Sequence, residues 1–329
     1  MPVPPRDLPL DHPIDADLVG HLLAEQHPDL AGLPRHVVAE GWDNVLVRVG
    51  DDLCVRLPRR AQGVPLIEHE QRWLPALAPR LPVVVPVPVR VGAPSPRYPW
   101  PWTVTRWVSG ARSADRPRRR ASAWAVDLAD ALAALHTTAP PDAPHNPVRA
   151  VPLATRVAAV TARFDRARAG AGAVPLEDLD LAEARWRAGV AAPAWAHAPA
   201  WVHGDPHPAN LVVTPGADDG ARGDALAALL DFGDHSAGDP ACDLATAWLA
   251  FDASGRAAFA AAYEARRPGG PGTDRPDPGR WRRAGAWAVA MATGVLVDAP
   301  EDPTNGPWAR AALDELVHAS DAGDDPVEP

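Results

Sequence analysis

The chain contains no lysine: all 32 basic side chains among its 329 residues are arginine. That absence excludes lysine Schiff-base chemistry, a pyridoxal-phosphate lysine and the Gly-Lys-Ser/Thr phosphate loop, each of which needs a side-chain amine. Alanine fills 66 positions and proline 40, a profile that suggests GC-rich codons, so arginine here can stand where another protein uses lysine. Cysteine is nearly absent as well. Cys54 and Cys242 are the only two, far apart, and read as buried thiols of a reducing compartment rather than a disulfide framework. No apolar run approaches the roughly 18 residues of a membrane-spanning helix. The first residues, MPVPPRDLPLDHP, lack the basic-then-apolar order of a secretory signal. A cytoplasmic protein without a membrane partner is the expectation. No Gly-x-Ser-x-Gly elbow occurs, so a serine hydrolase has no support.

The net charge is −10, unevenly spread. Residues 311–329 carry Asp314, Glu315, Asp321, Asp324, Asp325 and Glu328 with no arginine, which leaves about −4 for the rest of the chain. A body so weakly charged does not point to nucleic acid, and the acidic tail, about 320–329, is expected to be solvated. Arg118-Arg119-Arg120 follows Pro117 and reads as the solvated start of a helix.

Apolar periodicity divides the chain in two. A helix is predicted over 15–31, then short strands over His36–Glu40, Val45–Val49 and Leu53–Leu57, with Gly50-Asp51-Asp52 as a hairpin turn. A helix over 65–77 precedes Val83–Val91, an extended edge strand because its prolines donate nothing to a ladder, and a strand over Trp102–Val108. Helices then dominate: 121–137, 152–169, 176–190, most of 240–267, and 279–319, with Pro/Gly-rich sequence over 268–279. Between them lie short strands at Ala200–His203, Leu211–Val213 and Leu226–Phe232. A β-rich part followed by a helix-rich part predicts two lobes with a cleft between them.

The chemistry concentrates in that cleft. His203-Gly204-Asp205-Pro206-His207-Pro208-Ala209-Asn210 follows one strand, and Asp231-Phe232-Gly233 follows another, twenty-one residues beyond Asn210. A histidine, an aspartate two later and an asparagine five after that is the catalytic-loop spacing of protein kinases, with Gly204 in place of their arginine. Such chemistry needs one carboxylate facing the acceptor hydroxyl, and a carboxamide with a second carboxylate for Mg²⁺. Asp205 suits the first role; Asn210 and Asp231 suit the second, because hard cations take oxygen ligands. The His203/His207 pair also has the i, i+4 spacing of zinc ligands, but Gly204, Pro206 and Pro208 forbid the helix that spacing requires.

HGDPHPAN followed by LLDFGDHSAGDPACDLATAW resembles the aminoglycoside phosphotransferase family, small-molecule kinases with a protein-kinase-like fold. The resemblance covers roughly residues 35–300. It implies an α+β bilobal fold, with an N-lobe over 1–106 that binds nucleotide and a C-lobe over 107–329 that carries the catalytic loop and acceptor helices. It also implies ATP or GTP with Mg²⁺ as cofactors, and a small-molecule hydroxyl as acceptor, an aminoglycoside first. The expected assembly is a monomer or weak dimer. Within EGWDNVLVRVGDDLCVRLPR, Gly41–Asn44 resembles the nucleotide-positioning loop, and Arg56 stands where the family has the lysine that grips the α/β-phosphates. Glu70 resembles the helix glutamate that steadies that cation, with Glu68 as the alternative register. Arg106–Val108 resembles the hinge whose backbone faces adenine. Asp239 and Asp243 resemble residues that brace the catalytic loop. Trp42, Trp100, Trp102 and Trp107 fall near the implied nucleotide cleft.

Two departures stand out: arginine for lysine at 56, and a positioning loop whose only glycine is Gly41. Arginine keeps the charge and offers a fork to phosphate oxygens. The range of acceptors the resemblance implies leaves open a metabolite kinase of choline, homoserine or sugar-amine type, and the departures leave open a non-catalytic nucleotide-binding module of the same fold.

Overall fold

The computed structural model describes residues 12–172, 174–216, 223–267 and 277–318. It begins with helix α1 (Ala16–Gln26), started by the Asp15 carboxylate, which accepts from the Leu18 N–H at 2.7 Å. Val19, Leu22 and Leu23 of α1 are buried against an antiparallel sheet of β1 (Arg35–Glu40), β2 (Asn44–Val49), β3 (Leu53–Pro58), β4 (Pro88–Gly92) and β5 (Trp102–Arg106), ordered β1-β2-β3-β5-β4. Gly50, at φ 57°, makes the turn between β2 and β3. Strand alternation sends Val45, Val47, Val49, Val55, Leu57 and Val104 into one core with α1. Arg56 therefore emerges on the other face, where helix α2 (Val64–Leu77) lies. Gln71 of α2 donates to the Trp102 carbonyl at 3.1 Å and to Thr103 Oγ1 at 2.9 Å.

The second part forms a larger, separate apolar core. It comprises β6 (Ala111–Arg112), α3 (Ala125–Leu135), α4 (Val157–Arg168), α5 (Leu176–Ala191), β7 (Ala200–Val202), β8 (Leu211–Thr214), β9 (Ala225–Leu229) and β10 (Ser236–Gly238). The short helices α6 (Ala241–Leu244) and α7 (Thr246–Ala250) follow, then α8 (Ala253–Arg266), α9 (Arg280–Asp298) and α10 (Gly306–His318). β7 pairs with β10, and β8 lies between β6 and β9. This is the mixed architecture the motifs implied, a small antiparallel sheet followed by a helical part. Among the described residues, no helix is long and apolar enough to cross a membrane. Both cysteines are buried free thiols, as their count suggested.

Several boundaries differ from the sequence reading. The edge strand starts at Pro88, not Val83. Pro82, Pro86 and Pro88 lack N–H groups, and Val84 instead makes an isolated parallel bridge with Ala228. The helical stretch expected over 279–319 resolves into two helices, separated where Pro300 and Pro303 interrupt the backbone and the Asp302 side chain caps Thr304 and Asn305. Arg118 is not a solvated helix start. It donates to the carbonyls of Trp248, Leu249 and Phe251, satisfying the C-terminal end of α7. The acidic end is also less free than composition implied: Glu315 sits in α10, 3.0 Å from Arg256. The tail beyond residue 318, including about 320–329, lies outside the described residues, as does most of the 268–279 stretch.

Candidate active site

Two chain crossings build the site. The loop 203–210 links β7 to β8, and Asp231-Phe232-Gly233 follows β9; the Leu230 N–H donates to the Asn210 carbonyl at 2.9 Å and ties the two together. The loop is held from below by Asp243, which is fully buried. Its carboxylate accepts from the His203 N–H at 2.6 Å and the Gly204 N–H at 2.8 Å, and meets His136 Nε2 at 3.0 Å. Asp239, expected to brace the same loop, grips Arg283 of α9 at 2.7 Å instead, and its own N–H holds the Ala150 carbonyl.

His203 is used up structurally. Its Nε2 faces the Leu230 carbonyl at 2.9 Å and its Nδ1 accepts from the Asp205 N–H at 3.1 Å, so neither nitrogen is left for zinc. His207 caps the following turn through Nδ1 and stacks on Trp308, ring centroids 4.9 Å apart. Gly204 has φ 90°, and a Cβ there would lie 2.5 Å from the Asp234 carbonyl. Gly204→Ala is therefore expected to destabilise the protein by about 2 kcal/mol or more, measured as a lowered denaturant midpoint.

Asp205 projects from this braced loop. Its Oδ1 lies 3.0 Å from Arg149 Nη2 and its Oδ2 3.5 Å from His207 Nε2. Burial is the largest single influence and would raise its carboxyl, but Arg149, His207 and His203 together hold it below the usual carboxylate range. Asn210 donates Nδ2 to the Asp205 carbonyl at 3.0 Å, which leaves Oδ1 without a protein partner. Asp231 has a left-handed backbone (φ 60°, ψ 70°) and a half-exposed side chain. One of its oxygens meets Arg56; the other makes no hydrogen bond or ion pair among the described residues. Two oxygens without protein donors, one carboxamide and one carboxylate, are a donor set that fits a hard divalent cation keeping some of its waters.

Arg56 joins the two halves of the molecule. Its Nη1 contacts Glu70 Oε2 at 2.6 Å and its Nη2 contacts Asp231 Oδ1 at 3.2 Å. Glu70, not Glu68, is thus the partner, and it is 1% exposed. Burial opposes the charged guanidinium, yet Glu70 and Asp231 together hold it above arginine's ordinary range. The Gly41–Asn44 segment turns back on itself, Gly41 N–H to Asn44 carbonyl at 2.8 Å, while the Gly41 carbonyl accepts from Arg59. Asp43 in this loop is pushed up to about 6, by burial first and then by the charge of Asp231. At the end of β5, Arg106 is exposed and pairs with Leu53. The Trp107 N–H donates to the Asp52 carbonyl, and Val108 follows in open loop. Trp102 and Trp100 are spent elsewhere: Trp102 is buried in the α1 core and Trp100 packs on Tyr98.

His235 lies behind Phe232, 1% exposed, with Nδ1 bonded to the Phe232 carbonyl and Nε2 without a partner. Protonation would place an unsatisfied charge in the core, so burial pulls its pKa down to about 4. A depressed folded-state pKa stabilises above the unfolded value and loses that contribution as pH falls. Between pH 7 and pH 5 this group should remove about 2 kcal/mol of stability. Urea unfolding of wild type and His235→Asn at both pH values checks this: the variant should show the smaller loss.

The phosphotransferase enzyme family model matches residues 35–282, from β1 to the start of α9. The chain belongs to the phosphotransferase enzyme family. A structure of the GDP complex of an aminoglycoside 2′-phosphotransferase-IIIa variant superposes with a TM-score of 0.63 at 19% identity, covering 91% of this chain and 95% of that one. The macrolide 2′-phosphotransferase MphH from Brachybacterium faecium gives 0.56 at 22%, covering 90% and 98%. A streptomycin–ATP ternary complex of another aminoglycoside phosphotransferase gives 0.52 at 16%, covering 88% and 92%. No curated protein matches the chain by sequence. The fold is thus the kinase-like fold of this family of hydroxyl-directed phosphotransferases.

The sequence reading named Arg56, Glu70, Asp205, Asn210 and Asp231, and the structure places Arg56 against Glu70 and Asp231, and Asn210 against the Asp205 carbonyl. That reading missed Arg149, which touches Asp205 from a loop with no motif, fifty-six positions away.

Proposed function

We propose that the chain transfers the γ-phosphoryl group of ATP or GTP to a hydroxyl of a small molecule, with Asp205 receiving or orienting the hydroxyl proton. The observation that carries this reading is the joint placement of Arg56, Glu70 and Asp231 in one contact set, next to the loop that presents Asp205. The division falls at about residue 106: the sheet side, 1–106, takes the nucleotide, and 107–329 takes the acceptor. Asn210 and Asp231 would hold Mg²⁺, which neutralises phosphate charge when bound. Arg56, steadied by Glu70, reaches the phosphates as a charged fork. Gly41–Asn44 covers them, and the Arg106–Val108 backbone faces the base. Catalysis is then positioning and charge neutralisation.

The neighbours' names make aminoglycosides the first acceptors to try and macrolides the second; antibiotic modification follows only if one of them is turned over. A metabolite kinase is the second reading, favoured by the positive charge of Arg149 against Asp205, which does not suit a polycation. A coupled ADP-release assay across aminoglycosides, macrolides and hydroxylated metabolites tests both. Mg²⁺-dependent release with one acceptor class supports the transfer reading. Stabilisation by ATP and Mg²⁺ without release on any acceptor would make the chain a nucleotide-binding module instead.

A further inference from the structure

Arg149 is placed with care. Asn146 Oδ1 accepts from the Val148 and Arg149 N–H groups at 2.9 and 3.0 Å, and its Nδ2 donates to Asp234 Oδ1 at 2.7 Å. The next residue, Ala150, has φ 53°, a left-handed conformation rare for a residue with a Cβ. It is fixed by the Asp239 N–H on its carbonyl, and by Gly238, whose missing side chain leaves room for that carbonyl. The outcome of this strain is a guanidinium directed at Asp205, with Nη2 at 3.0 Å from Oδ1. Its Nε is buried, lies 3.9 Å from Asp234, and has no hydrogen-bond acceptor. A buried donor without an acceptor is hydrogen-bonding capacity that the chain itself does not use.

A second cation reinforces the first. Arg156, seven positions further along the chain, is half-buried and makes no ion pair among the described residues. Burial, and the nearby charges of Arg149 and Arg163, push it below arginine's ordinary range. Arg163 is satisfied by Asp298, so Arg156 carries the uncompensated charge. Asp205 and Asp234, the carboxylates on this side, already share Arg149. A polyammonium acceptor would have to displace that arginine and then sit near another.

We propose that the acceptor carries an anionic group, a carboxylate or a phosphate, that binds Arg149 and Arg156 and so places its hydroxyl beside Asp205. Arg149 thereby sets specificity, exchanging part of its hold on Asp205 for the incoming anion. The proposal rests on the phosphotransferase reading, and the two fail differently.

The test uses the full chain and a matched three-carbon series: glycerol, glycerate, glycerol phosphate and aminopropanediol, with kanamycin as the polycation. ADP release with Mg·ATP is measured together with calorimetric binding of each compound in the presence of a saturating non-hydrolysable ATP analogue. Glycerate or glycerol phosphate is expected to exceed glycerol and aminopropanediol by about tenfold or more in affinity or kcat/KM, as for a charge-assisted hydrogen bond. The two anionic arms separate carboxylate from phosphate recognition. Arg156→Gln should raise KM or Kd for the preferred anion about tenfold while leaving glycerol unchanged, and Arg149→Lys should keep part of a preference that Arg149→Gln removes. Tighter binding of kanamycin or aminopropanediol, equal binding across the series, or unchanged preference in both glutamine variants overturns the proposal. If Mg·ATP neither stabilises the protein nor yields ADP with water or any acceptor, the phosphotransferase reading itself has failed.

Discussion

Asp205→Asn is expected to lower kcat by about 10²–10⁴-fold while leaving nucleotide affinity and stability near wild type. The carboxamide is isosteric and its oxygen still accepts from Arg149 Nη2, now at 3.0 Å from Asp205 Oδ1, so the loop has no reason to move. What it loses is the basic oxygen proposed to face the acceptor. Asp243 and His203 brace the loop through its backbone rather than through this side chain, which is why the folding effect should be small. Turnover and a urea melt measured on the same preparation separate the two effects. Full turnover in the variant would remove Asp205 from the role of base.

Arg56→Met has the second large effect, and it is twofold. Glu70, which burial already pushes up to about 7, would be left buried without its cation and would take up a proton, a loss of up to about 3–5 kcal/mol when one partner of a buried pair is removed. Nucleotide binding should fall with it, because no lysine exists to substitute. A double variant, Arg56→Met with Glu70→Leu, separates the terms. Removing both charges should recover much of the stability, since an apolar pair replaces a buried ion pair at little cost, yet nucleotide binding should stay lost. Arg56→Lys restores one point charge in place of a fork that now contacts both Glu70 and Asp231. It should therefore recover stability more completely than it recovers phosphate binding. Denaturant midpoints and calorimetry with Mg·ATP read out the two quantities. Recovery of nucleotide binding in the double variant would show that Arg56 is a structural residue only.

Much of this was legible in the sequence because the residues concerned lie in loops that directly follow apolar strands. Asp205, Asn210 and Asp231 are short-range motifs whose spacing is set by that loop geometry. Glu70 was readable only through the family resemblance, and its rival Glu68 was eliminated by the contact Arg56 makes with Glu70. Arg149 was not legible. It reaches Asp205 through a tertiary contact across a proline-rich segment, where neither helical nor strand periodicity constrains the chain. Arg118 failed for a similar reason: a run of arginines looks solvated until the carbonyls it must cap come from α7, some 130 positions later.

The missing lysine also takes on a definite meaning. One arginine, Arg56, stands at the meeting point of β3, α2 and the Asp231 loop, where a kinase-like cleft needs its cation. The other, Arg149, stands 3.0 Å from Asp205, on the side proposed to take the acceptor. The most direct measurement is the mass of the acceptor after incubation with the protein, ATP and Mg²⁺, set against a reaction with Asp231→Asn. Gain of one phosphoryl group on a hydroxyl, with ADP formed in equal amount and neither change in the variant, is the predicted result. ATP consumed without a phosphorylated acceptor, or an acceptor modified equally by the variant, would contradict it.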